Sequence, residues 1–226
     1  MARVFRRAGL RVGTQEFPVP GHGTSRNVIG VLQTPATCLR IVMAHADTTP
    51  GAPGANDNAS GLGVVAALAG RLGEIDPRCD VWLVATGAEE RVYTGSPDHL
   101  GALALARRAR ARGGARRLDW ALSLDEVGRD RPFWLRSPVS GPRPAVEGAL
   151  LRAGRRARVA VSWMRDETTG NSDHREFELL GLPGAKLGVG AGGEPCRHTA
   201  CDRPSRLDRT SLVLARRLAG EALRAR

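Results

Sequence analysis

At 226 residues with 42% hydrophobic content, the chain is long enough for one domain with a full core, residues 1–226, and too apolar for disorder. No apolar run approaches the ~20 residues of a membrane-spanning helix, so no membrane span is expected. The net charge of +11 invites an anionic partner, but Lys186 is the only lysine among 34 basic residues and the Arg107–Arg117 cluster has no interleaved aromatic residue. That is biased composition, not a nucleic-acid surface.

In chain order, Gly13–Val19 and Asn27–Gln33 read as two short strands around a Pro/Gly turn, Pro18–Gly23, with His22 a solvated loop residue. Met1–Leu10 carries basic residues but no apolar segment behind them, which is not the form of a signal peptide. Leu39–Ala44 is an apolar run typical of a strand buried on both faces. A helix is expected over Ala59–Gly73, with Leu62, Val65, Ala66, Leu68, Ala69 and Leu72 turned inward. Asp80–Thr86 and Leu118–Leu124 are further buried strands, Phe133–Leu135 a short one, Arg158–Trp163 and Ala185–Val189 two more. Helices are expected over Pro97–Arg112, with His99 a surface or capping residue of its first turn, and over Ala145–Ala157. A short helix opens at Ser172 as N-cap, and a closing helix runs from Leu207 to about Ala225 behind a capping-box-like Ser205–Asp208. This alternation predicts an α/β three-layer sandwich, with a mixed, largely parallel central sheet and helices on both faces.

Sheets of this class place ligands at the carboxyl ends of their strands. His45, Glu89, Glu90 and Asp125 each follow such an end, and Asp57 lies in the loop after His45. Several carboxylates crowded on one edge repel one another unless a cation compensates, and imidazole with carboxylate suits zinc. In extended backbone, residues two apart point to the same side, so the Asp47 carboxylate is expected to accept a hydrogen bond from the far ring nitrogen of His45. Of the four cysteines, none forms a C-x-x-C pair; Cys196 and Cys201 flank His198 and read either as a short disulfide or as two buried thiols.

H-A-D at 45–47, G-A-N-D-N-A-S-G at 54–61, G-A-E-E at 87–90 followed by T-G-S, S-L-D-E-V-G at 123–128, S-D-H-R-E-F at 172–177 and H-T-A-C-D at 198–202 stand in one order along the chain. In that order and phrasing the chain resembles the co-catalytic zinc aminopeptidases, metallopeptidase family twenty-eight, of the secreted bacterial leucyl-aminopeptidase type. The resemblance implies two zinc ions, with cobalt or manganese as substitutes. His45 and Asp125 hold one, Glu90 and His198 the other, and Asp57 bridges them. It further implies a peptide substrate, Glu89 as the general base toward a water shared by the metals, and Asp173 and His174 as outer support.

The same resemblance implies a Cys196–Cys201 disulfide, a hint of an exported protein, and places Glu167–Asn171 near the substrate entrance. Two positions depart from it. Arg197 stands where a tyrosine contacts the oxyanion, and the only tyrosine is Tyr93; Asn171 stands where an arginine contacts the substrate's amino end. An aminopeptidase is the leading expectation. The alternatives are a glutaminyl-cyclase-like enzyme with one zinc, a carboxypeptidase on the same fold, and, from another class, a non-catalytic binding module. Cellular location, oligomeric state and the preferred residue stay open.

Overall fold

The computed structural model describes residues 1–90, 98–129, 131–166, 170–190 and 192–224. Its strands are β1 (Arg11–Val19), β2 (Gly23–Leu32), β3 (Leu39–His45), β4 (Asp80–Thr86), β5 (Leu118–Leu124), β6 (Phe133–Ser137), β7 (Val161–Arg165) and β8 (Gly184–Gly188). They form one sheet in the order β1-β2-β4-β3-β5-β8-β6-β7. The central four, β4-β3-β5-β8, are parallel, so their carboxyl ends share one edge. β1 and β2 form an antiparallel hairpin, β2 runs antiparallel to β4, and β6 runs antiparallel to β8.

Every residue of β3 and β4 is buried, which explains their unbroken apolar runs. Side chains alternate across the sheet, and the core divides accordingly. Val42, Ala44, Leu122 and Leu124 face a layer containing α2 (Gly61–Ala69) and α7 (Arg209–Arg224), with α1 (Ala2–Arg7), α3 (Leu72–Ile75) and α5 (Glu147–Arg156) on the same side. Ile41, Met43 and Ala121 face α4 (Leu100–Ala111) and α6 (His174–Leu179) through Leu105, Ala106 and Phe177. This is the three-layer arrangement that the alternation of elements predicts.

Several element ends differ from expectation for identifiable reasons. The helix expected from Ala59 breaks into α2 and α3, behind a kinked segment, Ala55–Ser60, whose backbone is non-helical at Asp57 and Asn58. α4 opens at Leu100, and α7 opens at Arg209. Asp208, not Ser205, caps α7: its two carboxylate oxygens accept the backbone N–H groups of Thr210 and Ser211 at 2.9 and 3.2 Å. Ser172 does not cap α6; its hydroxyl pairs with that of Ser123 at 3.1 Å inside the protein. α1 carries no strong sequence signal, yet its Phe5 is fully buried.

Leu39 is in register with Asp80, so the residues just before them, Cys38 and Cys79, face each other across adjacent strands and are disulfide-bonded with Cα atoms 4.9 Å apart. The bridge closes a sequence separation of 41 residues. A loop of that length constrains the unfolded chain by about 2–4 kcal/mol. The double variant Cys38→Ala/Cys79→Ala should therefore show a urea midpoint lowered by a corresponding amount; an unchanged midpoint would remove the bridge from the account of stability.

Candidate metal centre

The loop after β3 is stitched to the loop after β5 by the polar residues of its N-D-N-A-S-G run. Asn58 Nδ2 donates to the carbonyl of Leu124 at 2.8 Å, and Asn56 Oδ1 accepts from the amide of Gly128 at 2.8 Å. Ser60 Oγ accepts the amide of Val127 at 3.2 Å. All three side chains are buried, and each satisfies a backbone group that would otherwise be buried unpaired. Gly61 is needed for the same approach, because a Cβ there would lie 2.3 Å from the Leu124 carbonyl oxygen. Asp202 fastens the third loop: its two oxygens accept the amides of Asn56 and Asp57 at 2.7 and 3.0 Å. The sulfurs of Cys196 and Cys201 are bonded around His198, whose backbone is left-handed at φ 59°.

These constraints bring His45, Asp57, Glu89, Glu90, Asp125 and His198 to the carboxyl edge of the central strands. The two oxygens of Asp57 face two different imidazoles. Oδ1 is 3.1 Å from His45 Nε2, and Oδ2 is 3.2 Å from His198 Nε2. A second carboxylate stands beside each ring: Asp125 Oδ1 is 3.6 Å from His45 Nε2, and Glu90 Oε2 is 3.1 Å from His198 Nε2. His45, Asp57, Glu90 and Asp125 are buried, whereas the His198 side chain is 46% exposed and opens the group to solvent. The cleft above them has a volume of about 410 Å³ and is walled also by Glu89, His99, Asn171, Lys186 and Arg197.

The Asp47 carboxylate does not take the place expected of it. β3 ends at His45, so the same-side rule for extended backbone no longer holds at Asp47. The far nitrogen of His45, Nδ1, meets the backbone carbonyl of Asp47 at 3.0 Å, while the nearer carboxylate oxygen is 3.9 Å away. That carboxylate instead accepts the amides of Glu89 and Glu90, both at 2.9 Å, and so sets the backbone carrying that pair.

Asp173 and His174 are fully buried beneath the cleft. Asp173 accepts the hydroxyl of Thr86 at 2.5 Å, and His174 Nε2 is 2.9 Å from Asp166, which also binds Arg136 at 2.6 Å. Arg197 lines the cleft with its guanidinium bound to Glu126 through Nε at 2.8 Å and through Nη2. Tyr93 and Glu167–Thr169 lie outside the described residues.

Three side chains of the site carry no expectation or an incomplete one. His99, expected as a surface or capping residue, does stand at the N-cap position of α4, but it is 4% exposed, with Nε2 3.2 Å from Glu89 Oε1. Lys186 is 1% exposed, and its Nζ is 2.8 Å from Asp125 Oδ2. Its signal was a lone charge between Ala185 and Leu187 in an apolar strand. Glu126, at φ 58°, anchors Arg197; nothing in its sequence position foretold this.

The electrostatics of the donors call for a cation. Burial, then the charges of Glu89 and Asp57, push the Glu90 carboxyl up to about 8. Burial and Glu89 likewise raise Asp173 to about 7. Burial opposes charge on His45, yet Glu89, Asp125 and Asp57 hold its pKa well above the ordinary histidine range. Glu90 Oε1 and Asp125 Oδ1 are buried with no hydrogen-bond partner among the described residues. Two imidazoles, three carboxylates and two orphaned carboxylate oxygens make a donor set that fits zinc.

Comparison with known proteins agrees with this chemistry. The family model described as Peptidase family M28 matches residues 27–223. Aminopeptidase YwaD of Bacillus subtilis is 38% identical over 84 residues, which is 34% of this chain and 18% of that protein. The crystal structure of BSAP, a zinc aminopeptidase from Bacillus subtilis, superposes with a TM-score of 0.77 at 25% identity, covering 89% of this chain and 50% of that one. The alignments thus span half or less of these two relatives. A glutaminyl cyclase from Bacteroides thetaiotaomicron shares the fold, with a TM-score of 0.83 at 20% identity, over 99% of this chain and 86% of its own.

Two substitutions test this scaffold. Asp202→Ala leaves two buried amides without an acceptor and should lower stability by about 2–4 kcal/mol in urea unfolding; an unchanged midpoint would mean that the loops hold without it. Asp166 is opposed by burial, but His174 and Arg136 depress its pKa to about 2 from the ordinary 3.8. A carboxylate with a depressed folded pKa stabilises above its unfolded pKa and loses that contribution as pH falls through the folded value. Wild-type stability should therefore drop by about 2 kcal/mol between pH 4 and pH 2 on account of this group. Asp166→Asn, less stable at neutral pH, should lack that part of the acid slope; identical slopes would contradict the assignment.

Proposed function

The chain belongs to peptidase family M28, and from that premise we propose that it is a zinc-dependent exopeptidase, an aminopeptidase that removes N-terminal residues from peptides with two metal ions. One observation carries the reading. The oxygens of Asp57 address two imidazoles at 3.1 and 3.2 Å, and each ring has its own second carboxylate. His45 with Asp125, and Glu90 with His198, would hold one zinc each, with Asp57 between them. Three protein donors per ion leave each site open, as a catalytic centre requires.

Zinc bound there supplies Lewis acidity, which activates water near neutral pH and polarises a carbonyl. The chain's own residues do the rest. Glu89 takes a proton from the attacking water at a carboxylate oxygen and later delivers it to the departing amine. Asp47, through the Glu89 and Glu90 amides, holds base and donor in fixed relation. Lys186 engages one oxygen of Asp125 and leaves the other directed at His45. Arg197, anchored on Glu126, supplies a cationic wall in the place of the resemblance's tyrosine, and Asn171, which also lines the cleft, stands where the resemblance has an arginine.

A panel of aminoacyl-anilides, their N-acetylated counterparts and a peptide with N-terminal glutamine tests the proposal. Hydrolysis of the free-amine substrates alone, abolished by chelator, is the expected result. Glu89→Gln should lower kcat by about 10²–10⁴-fold with metal content unchanged. Cyclisation of the glutamine peptide would make the chain a glutaminyl cyclase, cleavage from the carboxyl end a carboxypeptidase. Bound metal without turnover would leave a binding module.

A further inference from the structure

His99 precedes α4 in left-handed backbone, φ 53°, and its surroundings tie it to Glu89 twice over. The main chains of the two segments are laced together. The amides of His99, Leu100 and Gly101 donate to the carbonyls of Glu89, Ala88 and Gly87 at 3.2, 2.9 and 3.1 Å. Contact is close enough that a Cβ on Gly101 would lie 2.3 Å from the Gly87 carbonyl oxygen. The ring then closes the arrangement from the side chain: Nε2 lies 3.2 Å from Glu89 Oε1.

The other ring nitrogen looks away from the cleft into a polar cage. Nδ1 is 3.5 Å from Asp98 Oδ1 and 3.6 Å from Glu176 Oε1. Arg175 Nη1 bridges those carboxylates at 2.6 and 3.5 Å. Arg175 Nη1 also comes within 3.5 Å of Nδ1 itself, and a guanidinium only donates, which agrees with a proton on Nε2; His99, Asp98 and Glu176 are each 5% exposed or less. Arg175 also supplies the cationic charge that the acidic pair needs, so the cage has no call for a metal of its own.

We propose that His99 is the positioning residue of the general base: its Nε2–H donates to Glu89 Oε1 and fixes the carboxylate, turning the second oxygen toward the water. The inference rests on the reading of Glu89 as base. A glutamate has three side-chain torsions, and Glu89 stands here close to His45 and to the carboxylates of Glu90, Asp125 and Asp173. Unanchored, its carboxylate samples orientations that do not face the water, and small misplacements of a reacting group are expensive in rate. A ring held from behind and donating from the front removes that freedom. A hydrophobic side chain of similar volume would fill the space without donating, whereas glutamine can present an amide N–H at the position of Nε2.

The experiment compares His99→Leu and His99→Gln with wild type and Glu89→Gln, using the full chain loaded with zinc. His99→Leu should lose about 10–100-fold in kcat with KM and zinc content unchanged, and His99→Gln should recover to within about fivefold of wild type. A fully active His99→Leu, or a His99→Gln no better than His99→Leu, overturns the donor role. If Glu89→Gln itself keeps full turnover, the base assignment fails first, and the two failures are told apart. A second readout needs neither turnover nor a folded leucine variant: the ring Nε2–H proton of His99, followed by NMR in the metal-free protein. It should resonate far downfield in wild type and move on Glu89→Gln; identical ring signals in the two proteins overturn the proposal.

Discussion

Asp57, Glu89, Glu90 and Asp125 lie together on one sheet edge, each less than a tenth exposed. An ionised carboxylate in such surroundings loses its hydration, and its neighbours repel it, so the cluster exists only while positive charge balances it. Much of the surrounding architecture answers that requirement. His45 and His198 stand between the carboxylates, Lys186 pairs with Asp125, Arg197 with Glu126, and the His99 ring with Glu89. Among the described residues, Glu90 Oε1 and Asp125 Oδ1 have no hydrogen-bond partner to supply that balance.

Holding that cluster together is a separate problem, solved by polar side chains instead of apolar packing. The loops after β3, β4 and β5 and the loop carrying His198 have no common strand or helix. Asn56, Asn58 and Ser60 bind the first to the third; Asp47 binds the first to the second; Asp202 binds the last to the first. Acceptors and donors are spent on backbone groups, which rigidifies the donors without using the donors themselves. Arg197 and Asn171 line the walls of the cleft.

How much of this was legible depended on whether position along a strand carried the information. His45, Glu89, Glu90 and Asp125 follow strands whose apolar runs are unmistakable, so their convergence could be inferred before any coordinates. Asp57 is of ligand type and lies in the loop after His45, but a bridging role for it, and any role for His198, follow only from the phrases that resemble a family. Asp47 lies two residues past the end of β3, where the extended-strand rule no longer holds. His99 was missed because a histidine at the head of an amphipathic helix reads as solvated, and left-handed backbone at a non-glycine residue has no sequence signature. The Cys38–Cys79 bridge depends on strand register, which composition and spacing do not encode. Lys186 is the instructive case: a single lysine inside an apolar strand was visible, and its burial against Asp125 gives that anomaly a reason.

In the proposed function Asp57 would serve two metal positions at once. Isothermal titration of metal-free protein with zinc measures that directly. The account predicts saturation at two ions per chain. Saturation at a single ion in a protein with full peptidase turnover would contradict it.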